Sequence, residues 1–379
     1  MKKLNKFFAV LVALAMTLSL GIVSAFAADA TPTQQASAAY ITKTFEMPEG
    51  TTTPSVDFKY TILADTTAGD ATATDLYTAA APLTISFTDA DTAAAADGKI
   101  TLTKQIKNAF ANVPTKAGKY VYTVREIDEE SDKDSDTADY TYSKDWYTVN
   151  AYRQADGTLT FTAQKNTADG TGKQEQKDDN GTKYIDLAFL NTYVETKDTD
   201  PNGKDPEDTN DSKGFYIQKN VDGAQADTEL PFTFNVTIKK PALTEKTAYT
   251  YEVWTVNGTK VEGKGGTITA DGTAQEITLS HNQRAVFTDL DVGAKVAVTE
   301  TAVPDWTTKV NGDESNAYAE QTVTSDSQLK AAYVNTYTKG DTTPEGILIS
   351  NLPYIALALV AIGGLVAYVV VRRRNADEA

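Results

Sequence analysis

Three residue types that could react with one another, a Lys, a Glu and an Asn, occur twice in this sequence in the same order. Each lies in a short strand-like run, on the face that it shares with apolar residues, because side chains alternate between the two faces of a strand. Polar groups on such faces are costly unless they are paired. The first triad is Lys43, Glu126 and Asn191, and the second is Lys219, Glu300 and Asn335.

One reaction would use all three side chains of a triad. Burial lowers the pKa of a Lys and leaves a neutral, nucleophilic amine, which can attack the Asn carboxamide. Burial raises the pKa of a Glu, so that its protonated form could donate a hydrogen bond to the Asn carbonyl and pass a proton to the departing ammonia. The expected isopeptide cross-links are Lys43–Asn191 and Lys219–Asn335, with Glu126 and Glu300 as the catalytic residues.

A buried ion pair with a neighbouring Asn is the alternative explanation, because buried ionisable groups are usually paired. Repetition of the triad in the same order favours the covalent reaction. The Asn residues also share their surroundings, since Leu-Asn-Thr-Tyr at 190–193 matches Val-Asn-Thr-Tyr at 334–337.

The elements that must hold these residues are strands. Alternating runs rich in Thr, Tyr and Val, separated by Gly, Asp and Asn clusters, predict an all-β chain of two tandem antiparallel β-sandwich domains, at 39–194 and 213–339. Residues 195–212 are acidic, contain Pro201 and Pro206, and are predicted to form a linker. The polar stretch 165–183 is expected to be an exposed loop before the last strand of the first domain.

The N-terminus has the pattern of a signal peptide, predicted at 1–27. A basic start is followed by an apolar run at 7–23 and by a small-x-small cleavage site at Ala25-Phe26-Ala27. A transmembrane anchor is the less favoured alternative because of that cleavage site. The pattern predicts export of the chain.

The C-terminal region 343–379 resembles a Gram-positive cell-wall sorting signal. The apolar stretch 352–371 is long enough to form a transmembrane helix, and three Arg residues follow it. A short Pro-Gly element precedes the span, although a Glu stands where the usual sortase motif has Thr; a plain membrane anchor is the alternative. The candidate sorting motif is Thr343, Pro344, Glu345 and Gly346.

Composition excludes several classes of protein. The chain has no Cys and therefore cannot form disulfides, and its net charge of −17 argues against nucleic acid as a partner. The single His, His281, lies in a polar stretch, which argues against a His-based catalytic triad or a multi-His metal site. We expect no metal and no cofactor. Glu126 and Glu300 fall in different domains and should not form a glycosidase pair.

The strand motifs resemble those of Gram-positive major (backbone) pilins with FctA-type isopeptide domains. Residues 122–126 and 298–300 resemble the E-box of that family, and 191–193 and 335–337 resemble its closing strand. The resemblance implies immunoglobulin-like domains, internal Lys–Asn bonds and polymerisation by sortase, in which a Lys of one subunit attacks the cleaved C-terminus of the next. The candidate intersubunit lysine is Lys183, with Lys165, Lys173 and Lys177 as alternatives.

The sequence therefore predicts a structural subunit of a sortase-assembled pilus, anchored in the cell wall at the cell surface. Expected partners are other copies of the chain in a covalent fibre, sortase, peptidoglycan and the membrane before sorting. A host surface ligand is a further candidate partner. A non-polymerising wall-anchored adhesin or stalk protein is the alternative. An extracellular enzyme is disfavoured, because no other catalytic constellation is apparent.

Overall fold

The structure, a computed structural model, describes strands, turns and irregular segments and contains no helix in the residues that it describes. Those residues are 36–69, 82–127, 134–135, 138–167, 170–173, 176–179, 182–197, 214–326 and 328–338. Within these ranges there is accordingly no helix long and apolar enough to cross a membrane. The predicted signal peptide (1–27), the candidate sorting motif (343–346) and the predicted span (352–371) lie outside them.

The first part of the chain forms two sheets. One has the strand order β4-β1-β12-β7-β6, with β11 also paired to β12, and the other has the order β10-β9-β8-β5-β2-β3. β1 and β12 are parallel neighbours, whereas the other pairs are antiparallel. The strands are β1 (Ala38–Pro48), β2 (Val56–Gly69), β3 (Leu83–Phe87), β4 (Lys99–Ile106), β5 (Gly118–Glu126), β6 (Asp134–Ser135), β7 (Ala138–Thr141), β8 (Trp146–Arg153), β9 (Leu159–Thr167), β10 (Gly170–Lys173), β11 (Gln176–Asp179) and β12 (Thr182–Lys197).

The second part also forms two sheets, with the orders β16-β15-β18-β13-β23-β21 and β17-β14-β20-β22. β13 and β23 are the parallel pair here. The strands are β13 (Phe215–Asp222), β14 (Phe232–Lys239), β15 (Ala248–Thr255), β16 (Lys260–Thr269), β17 (Asp271–Leu279), β18 (Gln283–Phe287), β19 (Leu290–Asp291), β20 (Lys295–Glu300), β21 (Trp306–Val310), β22 (Ala317–Thr322) and β23 (Leu329–Tyr337).

Eight strands of one part correspond to eight of the other in chain order, pairing and direction. The path β4-β1-β12-β7 matches β18-β13-β23-β21, and the path β8-β5-β2-β3 matches β22-β20-β14-β17. Hairpin β15–β16 and the short strand β19 are additions of the second part, whereas β6, β9, β10 and β11 are additions of the first. The chain thus contains the same eight-stranded frame twice.

Each frame encloses its own apolar core between its two sheets. β14 shows the cause, since its buried residues Phe232, Phe234, Val236 and Ile238 alternate with partly exposed polar ones. Burial of such side chains contributes about 25 cal/mol per Å² of apolar surface. Both cores are rich in aromatic rings that pack edge to face or tilted, for example Phe58 against Phe45 in the first.

Two predicted boundaries differ from the structure. Within the stretch 165–183, the described residues 165–167, 170–173, 176–179 and 182–183 lie in strands rather than in a loop, because β10 pairs back onto β9 and β11 pairs onto β12. The predicted linker at 195–212 begins later than expected, because β12 continues to Lys197 and its last residues, Thr196 and Lys197, pair with β19 of the second frame. Residues 198–212 of that linker lie outside the described ranges.

The pairing of β12 with β19 belongs to a closely packed junction between the two frames. The fully buried Asp291 accepts hydrogen bonds at 2.8 Å from the Thr196 hydroxyl, at 2.7 Å from Lys246 Nζ and at 2.7 Å from the Thr244 hydroxyl. Gly293 has φ +89°, and a side chain there would lie 2.7 Å from Pro48 Cβ. The junction therefore requires Gly at this position.

Candidate functional site

The first and last strands of the first frame bring Lys43 and Asn191 onto one face. In the parallel ladder of β1 and β12, Lys43 lies opposite Phe189 and Phe45 lies opposite Asn191. Lys43 and Asn191 are thus offset by two positions on neighbouring strands, and both side chains are fully buried. Diagonal neighbours of this kind are within reach of a long side chain such as Lys.

Glu126 reaches the same point from the opposite sheet, where it is the last residue of β5. Its Oε1 accepts a hydrogen bond from Lys43 Nζ at 2.7 Å and another from Asn191 Nδ2 at 2.8 Å. The side chains of Lys43 and Glu126 are 0% and 1% exposed. Lys43 Nζ also lies 4.1 Å from the centre of the Phe58 ring, so an aromatic side chain helps to shield the triad from water.

The second frame repeats this arrangement. Lys219 lies opposite Tyr333, and Val221 lies opposite Asn335, which is the same two-residue offset in a parallel ladder. Glu300 ends β20 in the facing sheet, and its oxygens lie 2.9 and 3.1 Å from Lys219 Nζ.

The surroundings of the second triad match those of the first. Asn335 Nδ2 donates a hydrogen bond to Glu300 Oε1. Lys219 Nζ lies 3.8 Å from the centre of the Phe232 ring, and all three triad side chains are buried. In each frame the structure therefore brings together the three triad residues that the sequence predicted.

The two carboxamide oxygens differ in their partners. Asn191 Oδ1 accepts a hydrogen bond at 2.7 Å from the backbone N–H of Ser143. Asn335 Oδ1 is buried and has no hydrogen-bond partner among the described residues. In both triads the amide nitrogen, not the carbonyl oxygen, faces the Glu, which is opposite to the orientation expected from the sequence.

Burial sets the protonation of the lysines. It lowers the pKa of Lys43 and that of Lys219 from 10.5 to about 8, against the opposing attraction of the neighbouring Glu carboxylates. Burial also raises the pKa of Glu300, while Lys219 opposes this shift. The shared proton of such a pair can therefore move from amine to carboxylate at modest cost, which leaves a neutral amine beside an amide carbon.

Sequence reasoning missed two parts of the site. The aromatic rings next to the two lysines are Phe58 on β2 and Phe232 on β14. Their alternation with polar residues along each strand predicts core positions but not a contact with Lys. The Ser143 donor is a backbone group in the segment between β7 and β8, and backbone groups carry no residue-type signal. The distance between this N–H and Asn191 depends on the residue at which β7 ends.

The candidate intersubunit lysines lie on strands near the end of the first frame. Lys165 on β9 forms an ion pair with Asp145 at 2.7 Å. Lys173 lies on β10, Lys177 on β11 and Lys183 on β12, where Lys183 is opposite Asp178 in the ladder. No group of three or more His, Asp or Glu side chains in the described part of the chain could hold a metal ion.

Comparisons with known proteins identify one family and several solved structures. Residues 213–337 match a family described as a domain of unknown function, DUF7601. No curated protein matches. The major pilin of Streptococcus pyogenes is 18% identical with a TM-score of 0.34, over 81% of this chain and 99% of that one.

Two further pilus proteins are similar to a comparable or lesser degree. The major pilin T3.2 of Streptococcus pyogenes is 17% identical with a TM-score of 0.31, over 80% of this chain and 98% of that one. The pilus-presented adhesin Spy0125 (Cpa) is 15% identical with a TM-score of 0.27, over 51% of this chain and 36% of that one. All three of these solved structures are of pilus proteins.

Proposed function

We propose that each triad forms an isopeptide bond between its Lys and its Asn, and that the chain is a structural subunit of a cell-surface pilus. One observation supports the bond above all others. The same two-residue offset between Lys and Asn on the parallel first and last strands, with a Glu reaching across from the facing sheet, occurs in both frames.

The proposed reaction is a transfer of the Asn acyl group from ammonia to the Lys amine. Neutral Nζ attacks the amide carbon Cγ, and a Cγ–Nζ bond forms. The Glu carboxyl takes one proton from Nζ and delivers one to Nδ2, which leaves as ammonia when the Cγ–Nδ2 bond breaks. The hydrogen bond from Nδ2 to Glu Oε1 supports this step, because it joins the nitrogen that would leave to the group that would carry the proton.

A role in a fibre follows from where the bonds lie. Each bond would join the first strand of a frame to its last, so that tension entering at one end would pass through a covalent link instead of peeling hydrogen bonds worth about 1 kcal/mol each. A chain without Cys has no disulfides for this purpose. We infer no activity toward external substrates, since both triads are buried.

Export, wall anchoring and sortase assembly complete the proposal. They rest on the predicted signal peptide (1–27) and on the candidate sorting signal (343–379). The proposed partners are sortase, peptidoglycan and further copies of the chain, joined through Lys183 or one of its three alternatives.

Intact-mass spectrometry of the mature, folded chain tests the bonds. We expect a mass lower than the mass calculated for the mature sequence by two ammonia molecules. Glu126→Ala should retain one ammonia by blocking only the first bond, and Glu300→Ala should block only the second. Lys165→Ala is the matched control, since it removes an ion-paired surface lysine outside both triads. An unshifted wild-type mass would exclude the reaction.

Wall extracts distinguish the pilus subunit from a free-standing adhesin or stalk. A polymerised subunit gives a ladder of high-mass species that resists boiling in SDS and disappears when the linking lysine is replaced by Arg. A single band at the monomer mass would refute polymerisation and leave the isopeptide reaction intact.

A further inference from the structure

The carbonyl of Asn191 is held by a donor that no sequence motif identifies. The backbone N–H of Ser143 lies 2.7 Å from Oδ1. An N–H can only donate a hydrogen bond, so this contact fixes the oxygen on that side of the amide and turns Nδ2 toward Glu126. The carboxamide is therefore held with its oxygen on a donor and its nitrogen on the proton carrier.

The end of β7 makes this donor available. The ladder between β7 and β12 stops at the pair Thr141–Thr192, and the chain then leaves the sheet, so the N–H of Ser143 can turn to a side chain. The corresponding strand of the second frame, β21, stays in its ladder through Val310. Asn335 Oδ1 consequently has no hydrogen-bond partner among the described residues.

We propose that the peptide N–H of Ser143 is a catalytic group of the first triad and acts as an oxyanion-hole donor. This inference rests on the proposed isopeptide reaction. When Lys43 Nζ adds to Cγ, the C=O π electrons move onto Oδ1, and the Ser143 N–H stabilises that negative charge. When the carbonyl re-forms, the Cγ–Nδ2 bond breaks and ammonia leaves with the proton relayed by Glu126.

Among the described residues no backbone N–H donates a hydrogen bond to Asn335 Oδ1, so the carbonyl of the second triad must be polarised by another group. Protonated Glu300 can supply that hydrogen bond once the Asn335 amide rotates, which nothing bonded to Oδ1 prevents. Loss of a single oxyanion donor typically slows a reaction by about 10²- to 10³-fold. The first bond should therefore form faster than the second in the same molecule.

A matched pair of full-length chains tests the role of the N–H. Ser143→Ala keeps the N–H. Lactic acid at the same position has the same methyl side chain as Ala and differs from it only in an ester oxygen that replaces the N–H. Both chains are diluted from denaturant before either bond has formed, and the two cross-linked peptides are followed over time by mass spectrometry. The ester should slow the Lys43–Asn191 bond about 10²-fold or more, with the Lys219–Asn335 bond unchanged as an internal control.

Equal rates for the ester and for Ser143→Ala would overturn the inference while leaving the isopeptide reaction standing. If neither bond forms in Ser143→Ala or in the wild type, the proposed function itself fails. Folding of the ester is checked in a Lys43→Ala background, where protease resistance does not depend on the bond.

A second measurement does not require the ester to fold. In a Lys43→Ala, Lys219→Ala chain, isotope-edited infrared spectroscopy compares the side-chain carbonyl stretch of Asn191 with that of Asn335. A hydrogen bond from Ser143 should place the Asn191 band at lower frequency. Coincident bands would show that the donor does not polarise this carbonyl and would overturn the inference.

Discussion

The two triads are built on the same frame and differ at the atom where charge would develop. In the first, Asn191 Oδ1 rests on the Ser143 N–H, whereas in the second Asn335 Oδ1 has no partner among the described residues. The cause is one local event, since β7 leaves its sheet where β21 continues. The comparison teaches that the parallel pairing of the first and last strands brings Lys and Asn together, whereas the strand next to the last one, β7 or β21, determines the hydrogen bonding of the Asn carbonyl.

The two sites also differ beside the carboxylate. Tyr60 lies opposite Glu126 in the ladder of β2 and β5, and Phe234 occupies that position opposite Glu300. The Tyr60 hydroxyl is buried and has no hydrogen-bond partner in the described part of the chain, and burial together with the Glu126 charge raises its pKa. Removal of this hydroxyl is a second test of whether the two frames are functionally equivalent.

Mechanical pulling should give the largest difference between cross-linked and open frames. Wild type should hardly extend, because each proposed bond encloses nearly all of its frame. Lys43→Ala should release the 148 positions between residues 43 and 191, and Lys219→Ala the 116 between 219 and 335, or roughly 500 and 400 Å of contour.

Single-molecule force spectroscopy measures both lengths in one chain. Wild-type molecules that extend as far as the variants would show that the frames carry load without covalent links, whatever the mass spectrum shows.

Stability should fall by similar amounts when either bond is lost. By analogy with a disulfide, each closed loop stabilises by roughly 5 kcal/mol, and the difference in loop length changes this by only about 0.2 kcal/mol. Asn191→Ala should cost about 1 kcal/mol more than Asn335→Ala, because it also leaves the Ser143 N–H without its acceptor. Chemical denaturation of the two variants measures the difference, and an equal loss would argue against the Ser143 contact.

The pH dependence of bond formation should separate the two sites. Burial lowers the pKa of both lysines to about 8, so each Lys–Glu pair keeps its shared proton below that pH and loses it above. Above pH 8 the second triad should slow, because Glu300 then has no proton to polarise the carbonyl. The first should slow less, since a peptide N–H does not titrate in this range. Refolding time courses between pH 6 and about 10 measure both rates, and parallel profiles would contradict the distinction.

Tyr60→Phe should have the smallest effect. The change gives the first site the Phe ring that the second site has, and it removes a buried hydroxyl for which the described residues offer no hydrogen-bond partner. We expect the bond to form as in wild type and the free energy of unfolding to change by about 1 kcal/mol or less, toward greater stability. Loss of the first cross-link in this variant would assign a chemical role to the hydroxyl.

The sequence predicted the parts of this molecule that depend on alternation. Strands with one apolar face, such as β14, and polar residues on those faces, such as Lys43 and Lys219, are visible in a period of two. The polar strands β10 and β11 have no apolar alternation and were expected to be a loop. The end of β12 was missed because its last residues pair with a strand far away in the chain.

The hydrogen bond from the Ser143 N–H to Asn191 could not be predicted, for a different reason. A backbone donor has no residue type, and its position depends on where β7 leaves the sheet. Carboxamide orientation likewise follows from the donors around it, which the sequence does not show. Motif reasoning could therefore name the side chains of each triad but not the direction in which the amide faces.

The shared end of β12 has a consequence for torsion. The strand that carries Asn191 continues into the second frame, where it pairs with β19 beside the buried Asp291. Turning one frame against the other about the chain axis would break these pairs and press Gly293 into Pro48. Twist is thus resisted by hydrogen bonds and close packing rather than by a covalent link, and the angle from one frame to the next is fixed by the fold.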